Sequence, residues 1–227
     1  ASQIVGTVSP GEIIAIHGYA VGPPQTTFFT LDPAGKIATN YNGTQVLFDG
    51  KPAPILYASP NQVNAIVPYE VTAQASTKIE IAYNGIKSQA WGVPILPSNP
   101  AIFTLDGTGV GRAAALNQDN TVNDPSNPAP RGTIVQIYAT GEGQTLPAGI
   151  TGSITHSVGI IPALQVTATV DGKSAVVQWA GETPESVTGL LAVNVVLPFD
   201  VTPGPAVPVT LTIGDRTSAA GTTIAVN

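Results

Sequence analysis

The sequence predicts an all-β fold in which two related β-sandwich modules follow one another. Three observations predict it. Apolar and polar residues alternate in several short runs, glycine and proline are frequent, and the chain resembles itself at a spacing of roughly 120 to 130 residues. With 24 glycines and 21 prolines among 227 residues, the composition favours many short strands joined by turns.

The alternation is clearest at residues 79–83 and 207–213, where every second residue is apolar. This is the period of a strand with one buried face. No window of helical length repeats apolar residues at three-to-four spacing without a glycine or proline inside it. The class is therefore all-β.

The internal repeat has four matched segments in the same order. Residues 10–18 match 131–139, Asp49 and Gly50 match Asp171 and Gly172, residues 63–71 match 193–201, and residues 79–88 match 209–218. The spacing grows along the chain, which places a small insertion near Glu182 in the second copy. One copy is about the size of an immunoglobulin-like sandwich. We expect one such module over residues 1–98 and another over residues 99–227.

The repeat separates shared positions from private ones. Tyr57 falls opposite Trp179, so both are predicted to be core aromatics, whereas Trp91 falls opposite a glycine and is exposed or packed against the linker or the other module. Asn64 and Asn194 occupy one position inside an apolar strand. A buried amide needs hydrogen-bond partners, so each is expected to tie a neighbouring loop to its strand.

The segment joining the modules carries two apolar runs within residues 101–117. They flank Gly107, Gly109 and Gly111, and predict either a joining hairpin or the first strand of the second module. Because this link is apolar, we expect modules docked at a fixed angle.

Eight ordered motifs resemble one family. They are SPGEI at 9–13, FDG at 48–50, ASPNQVN at 58–64, VPY at 67–69, AAALNQD at 113–119, SNPA at 126–129, YATGEG at 138–143 and GLLAVN at 189–194. Together they resemble the uncharacterised C-terminal domain of Solibacter and other acidobacterial exported proteins. Asn120 and Asp124 depart from the usual glycine and serine of that pattern. The resemblance implies secretion and an accessory role, but no established activity. Each half also resembles IPT/TIG-type immunoglobulin-like domains.

Charge and composition exclude several classes of function. The net charge is -6 and the few basic residues are scattered, so no patch could neutralise a phosphate backbone and nucleic acid is excluded. Without cysteine there is no disulfide framework or thiol nucleophile. No apolar run is long enough to span a bilayer as a helix. The abrupt start at Ala1 suggests a mature protein or an excised fragment, secreted or at the cell surface.

The sequence offers few residues in arrangements typical of a catalytic site. His17 is interpreted as structural and His156 as a solvated loop residue, and no nucleophile elbow accompanies them. Glu142, in a flexible loop between two glycines that is expected to expose it, is the most site-like acid, although a turn residue capping backbone amides is the alternative. Asp119, Asn123 and Asp124 are weak calcium candidates against plain Asx turns. No other cofactor is expected.

Two functional interpretations follow, neither of them an enzyme. The first is a structural or adhesive spacer that anchors other domains of a larger exported protein, or binds a cell-surface polymer. The second is a carbohydrate-binding module, whose platform would be Trp91, Tyr19 and Tyr41, with Glu142 as a further candidate ligand residue.

Overall fold

The structure, a computed structural model, describes residues 6–156 and 158–227. Strands and turns make up this part of the chain, apart from a 3-10 turn at Tyr69–Val71, so the predicted all-β class is confirmed. No helix in the described ranges is long and apolar enough to cross a membrane.

Nine strands form two sheets in the described part of the first half. In chain order they are β1 (Ile13–His17), β2 (Thr27–Phe28), β3 (Thr44–Phe48), β4 (Lys51–Ala53), β5 (Ile55–Ala58), β6 (Gln62–Ile66), β7 (Ser76–Tyr83), β8 (Ile86–Lys87) and β9 (Trp91–Pro94). One sheet has the order β1-β6-β5-β2 and the other the order β4-β3-β7-β8, with β9 also paired to β7.

From residue 101 onward, the residues that the structure describes form fourteen further strands. They are β10 (Ala101–Ile102), β11 (Gly111–Arg112), β12 (Ala115–Asn117), β13 (Ile134–Thr140), β14 (Thr145–Leu146), β15 (Ile154–Thr155), β16 (Ile161–Pro162), β17 (Val166–Val170), β18 (Lys173–Glu182), β19 (Ser186–Val187), β20 (Leu191–Val196), β21 (Gly204–Ile213), β22 (Arg216–Thr217) and β23 (Thr222–Val226). The long β18 pairs first with β17 and then, from Val176 onward, with β20, so it links the two layers; a bulge interrupts the β18–β20 ladder between Val177 and Trp179.

Strand pairing follows the same order in both halves. β6 lies between β1 and β5 as β20 lies between β13 and β18, and β7 pairs with β3 and β9 as β21 pairs with β17 and β23. Asn64 sits between Ala15 and Tyr57, while Asn194 sits between Gln136 and Trp179. That the halves are copies of one module stays a prediction.

Each half buries its own apolar core between its layers. The core of the first half includes Val46, Ile55 and Val63, and that of the second includes Ile137 and Leu211, all with almost no exposed surface. Alternate residues of each strand supply these side chains, as a two-layer sandwich requires. The repeated Asp-Gly turns that begin at Asp49 and Asp171 join β3 to β4 and β17 to β18. All four turn residues have positive φ, the conformation of a tight hairpin turn.

Tyr57 and Trp179 are not core residues, so that prediction is wrong. Both are half-buried on the outer faces of their sheets. The bulge after Val177 turns Trp179 outward while Ala180 packs against the core. A matched position in a repeat preserves the face on which a side chain lies, but that face need not be the inner one.

Asn64 and Asn194 also lie on the outer faces, because Val63 and Val193 point inward. Asn64 accepts a hydrogen bond from Gln62 Nε2 at 2.8 Å and Asn194 one from Gln136 Nε2 at 2.9 Å. Among the described residues neither side chain bonds to a loop, so the predicted role of tying a loop to the strand is wrong.

The joining segment forms both a hairpin and strands of the second half, the two arrangements that the sequence left open. Thr104 bridges to Ala113 in hairpin fashion, while β10 and β12 both pair with the outer edge of β13. Ser98, at the predicted boundary, is fully buried and donates a hydrogen bond to Ile213 O at 2.7 Å. The link is therefore packed against the second half and is not a free tether.

Replacing Leu211 with alanine tests the second core. Leu211 is fully buried, so truncation leaves a cavity and we expect the free energy of unfolding to fall by about 2–5 kcal/mol. Chemical denaturation measures this. The matched control is Val176→Ala, at a side chain that is 67% exposed, where the change stays within about 0.5 kcal/mol. Equal effects at the two positions would contradict the assigned core.

Candidate functional site

Acidic and polar side chains meet where the two halves touch. We call five of them the junction cluster: Glu12 and Tyr69 from the first half, Asn99 from the link, and Glu142 and Glu182 from the second half. All five are buried. The cluster joins residues far apart in sequence, since Tyr69 Oη donates to Glu182 Oε1 at 3.2 Å.

Tyr69 reaches the junction through a slot between two glycines. A Cβ at Gly11 or at Gly149 would collide with the tyrosine ring, so both positions need glycine for the ring to enter. Burial, followed by the nearby charges of Glu142 and Glu182, raises the pKa of Tyr69. Its matched residue, Phe199, packs over Gly132 but is largely exposed. The buried position of Tyr69 therefore comes from contact between the halves.

Glu182 ends β18 and is fully hydrogen-bonded. Its Oε1 accepts bonds from Tyr69 Oη, from Thr188 Oγ1 at 2.8 Å and from Gly189 N at 3.3 Å, and its Oε2 accepts one from Thr155 Oγ1. Thr188 belongs to the loop where the sequence places an insertion, and Thr155 lies in β15, which pairs with β19 of that loop. The loop after β18 and the strand paired with it thus supply partners for a buried carboxylate.

Glu12 precedes β1 and binds the link. Its Oε2 accepts a 2.8 Å bond from Ser9 N, and Asn99 Nδ2 donates to its Oε1 at 2.9 Å. Burial raises the pKa of Glu12 to about 8, although the bonds from Ser9 and Asn99 oppose the rise. At neutral pH this carboxyl therefore keeps its proton in the folded chain.

Glu142 is enclosed, so the expectation that a flexible loop exposes it is wrong. Its exposed fraction is 0%. Gly141 and Gly143 have positive φ, and a Cβ at either would strike the carbonyl oxygen of Asn99 or of Pro97. The link therefore lies directly over this loop and removes it from solvent.

The carboxyl of Glu142 has no hydrogen bond of normal geometry at either oxygen within the described structure. Burial raises its pKa to about 8, its own backbone N–H and, less strongly, the nearby Tyr69 hydroxyl oppose the rise, and the charges of Glu182 and Glu12 add to it. A buried carboxyl without partners is far less costly when neutral. The protonated acid is thus the form that the junction accommodates.

This arrangement does not resemble a hydrolytic site. A glycosidase needs two carboxyl groups that flank a substrate, whereas Glu12, Glu142 and Glu182 are closed off from solvent. A cleft of about 290 Å³ does open nearby, but its lining is neutral, from Pro10 and Thr72 on one side to Gln144 and Leu164 on the other. Across the two described ranges, no acidic and histidine cluster is arranged to hold a metal ion.

The three aromatics proposed as a sugar platform do not come together. Trp91 is 66% exposed and Tyr19 is 94% exposed, but Tyr41 is half-buried. Trp91 pairs with Ile79, whereas Tyr41 bridges to Thr44, which pairs with Tyr83. Four residues along β7 separate Ile79 from Tyr83 and correspond to about 13 Å. Tyr19 follows β1 and so belongs to the other sheet.

A different aromatic set lies on the outer face of the β1-β6-β5-β2 sheet. Phe28, Tyr57, Asn64 and Ala15 are directly opposite one another across the four strands, and we call them the aromatic–amide row. The rings of Phe28 and Tyr57 meet edge to face with centroids 5.7 Å apart. Phe28 is 67% exposed. The sequence signal for this row was the match of Tyr57 to Trp179 in the repeat, which predicted a core aromatic where the structure has one on an outer face.

The calcium candidates form local turns. Asp119 Oδ1 accepts bonds from Thr121, and Asp124 Oδ1 accepts bonds from Ser126 and Asn127. Asn123 is buried, and its Oδ1 accepts from the backbone N–H of Ala225 at 2.8 Å. Asp119 and Asp124 thus form Asx turns, whereas Asn123 ties its segment to β23; calcium binding stays a prediction.

The two histidines lie apart from the junction cluster. His17 is exposed at the end of β1. His156 is also exposed, with Nδ1 3.3 Å from Glu185 Oε1 at the surface. Within residues 6–156 and 158–227, neither is hydrogen-bonded to a serine or threonine hydroxyl, as a triad would need.

No protein-family model matches the chain, and no curated protein matches it. Among solved structures, one similar chain is the SGBP-B protein of the Bacteroides ovatus mixed-linkage glucan utilization locus, in complex with a mixed-linkage heptasaccharide. The identity is 12% and the TM-score 0.32, over 98% of this chain and 42% of that one. Another is the full extracellular region of plexin A4, with 14% identity and a TM-score of 0.29, over 93% of this chain and 16% of that one. This chain spans less than half the length of either, and at these TM-scores neither likeness carries an argument.

The buried acids predict a stability that falls as the pH rises. Glu12 and Glu142 keep their protons in the folded chain up to about pH 8, whereas the unfolded chain loses them near pH 4.5. Their contribution to the free energy of unfolding is thus fully present below about pH 4.5. It is lost as the pH rises to about 8, by up to about 1.4 kcal/mol per pH unit for each group.

Urea denaturation of wild type and Glu142→Gln between pH 5.5 and 9 measures this effect. The variant removes one of the two titrating groups, so we expect a shallower decline and a higher free energy of unfolding than wild type at pH 9. The control is Asp215→Asn, because the Asp215 side chain is exposed and its ion-pair partner is an arginine. A decline in E142Q as steep as in wild type would contradict the assignment.

Proposed function

We propose that the chain is a non-catalytic accessory unit of an extracellular protein, which holds two sandwich modules at one fixed angle as a structural or adhesive spacer. The junction cluster is the observation that carries this proposal. It buries polar groups from both halves and from the link, so separating the halves would leave specific hydrogen bonds unmade. The resemblance to exported acidobacterial proteins supports the extracellular setting.

Further bonds reinforce the contact along its length. Thr140 Oγ1 accepts from Ile13 N at 2.8 Å and donates to Gly189 O at 2.8 Å. Thr151 Oγ1 accepts from Tyr69 N at 2.9 Å, and Ile37 N donates to Gly152 O at 2.8 Å. A contact spread over several loops resists both bending and twisting, which suits a spacer that sets the direction of its neighbours.

The Gly143→Ala variant tests the fixed angle. Gly143 has φ 77°, and an added Cβ would collide with Pro97 O, so the link must move away. Because the chain has no cysteine, spin labels can be attached at Gln89→Cys and Ser174→Cys, both at exposed positions. Pulsed EPR should give one narrow distance distribution in otherwise wild-type protein and a broadened one in G143A.

Gly107→Ala is the matched control. Gly107 has a similar φ of 73°, but no atom lies within 4 Å of an added Cβ. Both variants therefore carry the same backbone strain, about 1 kcal/mol, and only G143A disturbs the junction. A broad distribution in the unsubstituted background would overturn the rigid spacer.

Carbohydrate binding is the second candidate, and the aromatic–amide row favours it. Exposed aromatic faces stack on sugar rings, and neutral amides hydrogen-bond to sugar hydroxyls. Asn64 Oδ1 is engaged by Gln62, but Asn64 Nδ2 and Gln62 Oε1 have no hydrogen bond to the described residues. These two groups are available at the surface beside Tyr57.

A glycan array probed with the whole chain tests this candidate. We expect a neutral oligosaccharide to be retained by wild type and by Trp91→Ala, and to be bound at least tenfold more weakly by Phe28→Ala and Tyr57→Ala. Trp91 serves as the control because it is an exposed aromatic on the other sheet. Loss of binding in W91A alone would move the site to that sheet, and no binding at all would leave the spacer as the single proposal.

A further inference from the structure

The outer edge of β1 is open where the equivalent edge of β13 is covered. Among the residues that the structure describes, β1 pairs only with β6 and ends its sheet. In the second half, β10 and β12 both lie along the far edge of β13. The second half thus shows which strands complete the sheet, and the first half has no equivalent strands among the described residues.

The backbone of β1 presents a regular set of free groups. Gly18 N donates to Asn61 O and Gly11 N donates to Val67 O at the two ends of the ladder. Because hydrogen-bonded pairs alternate in an antiparallel ladder, the amide and carbonyl groups of Ile14 and Ile16 face β6. Those of Ala15 and His17 therefore point away from the sheet.

The equivalent groups in the second half are bonded. Gln136, which matches Ala15, pairs with Leu116 of β12. Tyr138, which matches His17, donates its N–H to Ala114 O at 3.0 Å and accepts from Phe103 N at 3.0 Å. The covering segment runs antiparallel to β13. Since β1 matches β13 in the predicted repeat, a segment bound along β1 would pair with it in the same way.

Side-chain burial differs in the same way. Val135 and Ile137 of β13 are fully buried, and the core around them contains Ala113 and Ala115 from the covering segment. Their counterparts in β1, Ile14 and Ile16, pack against the first core but stay half-exposed. Small apolar residues at alternate positions would complete the burial of these two isoleucines.

The edge also lacks the usual protection against pairing. Exposed edge strands are commonly shortened or carry lysine or proline. At the opposite end of the same sheet, β2 is only two residues long. In contrast, β1 has five residues with neither lysine nor proline, and three of the five are isoleucines.

We propose that the edge of β1 binds an extended segment of a partner protein, antiparallel to β1, with small apolar residues at alternate positions. Backbone hydrogen bonds to Ala15 and His17 provide affinity, and the space beside Ile14 and Ile16 selects alanine-sized side chains. This is strand addition, with β12 of this chain as the internal template. It is independent of both the spacer and the sugar-binding proposals.

The chain supplies its own probe. A capped synthetic peptide with the sequence of residues 112–118 is titrated into the full chain while backbone amide exchange is followed by NMR. We expect slower exchange at the amides of Ala15 and His17, with those of Gln136 and Tyr138 unchanged. The control peptide carries Leu116→Pro, which removes the donor that pairs with the edge, and should not bind.

Two protein variants localise the binding. Ala15→Pro removes an outward N–H without breaking a bond to β6, and should weaken peptide binding at least tenfold, whereas Ala15→Ser should bind as wild type does. If A15P does not fold, the proline peptide preserves the test.

Three results would overturn the proposal. They are slow exchange at Ala15 and His17 in the free chain, binding that A15P leaves unchanged, or sedimentation showing that β1 pairs with a second copy while the peptide does not bind.

Discussion

Burial of acidic groups at the contact between the halves is the constraint on which the rest of the structure depends. A carboxyl removed from water must be hydrogen-bonded or neutral. Glu182 meets this condition through Tyr69, Thr188, Gly189 and Thr155, while Glu142, without partners, is accommodated as the neutral acid. The link and the loops around the cluster must keep their places for either condition to hold, so one buried contact determines both the geometry and its dependence on pH.

Strand alternation determines what remains available for binding. Each sheet places one set of residues in the core and the other on an outer face. The same rule that puts Val63 inside puts Asn64 and Tyr57 outside. As a result, positions that recur in the two halves are not all packing positions. Some lie on an outer face, where the neighbouring residues can differ between halves, as the exposed Phe28 beside Tyr57 illustrates.

The two halves differ at their edges more than in their cores. β13 is flanked by strands from the link, whereas β1 ends its sheet among the described residues. Likewise Tyr69 is buried because the second half covers it, while Phe199 in the matched position is exposed. Each half has its own core, and the two halves differ in which of their surfaces the rest of the chain covers.

The sequence by itself determined the strand class, the order of the matched segments and the Asp-Gly turns, because alternation and turn residues are local signals. Glu142 illustrates what it could not determine: two flanking glycines predict an exposed loop, yet the link covers it in the folded chain. Tyr57, Trp179 and the two asparagines were placed in strands but on the wrong face, since a bulge or a shift of one residue reverses the face. Only the tertiary structure decided which acids meet, which aromatics share a face and which edge stays open, because these depend on contacts between residues distant in the chain.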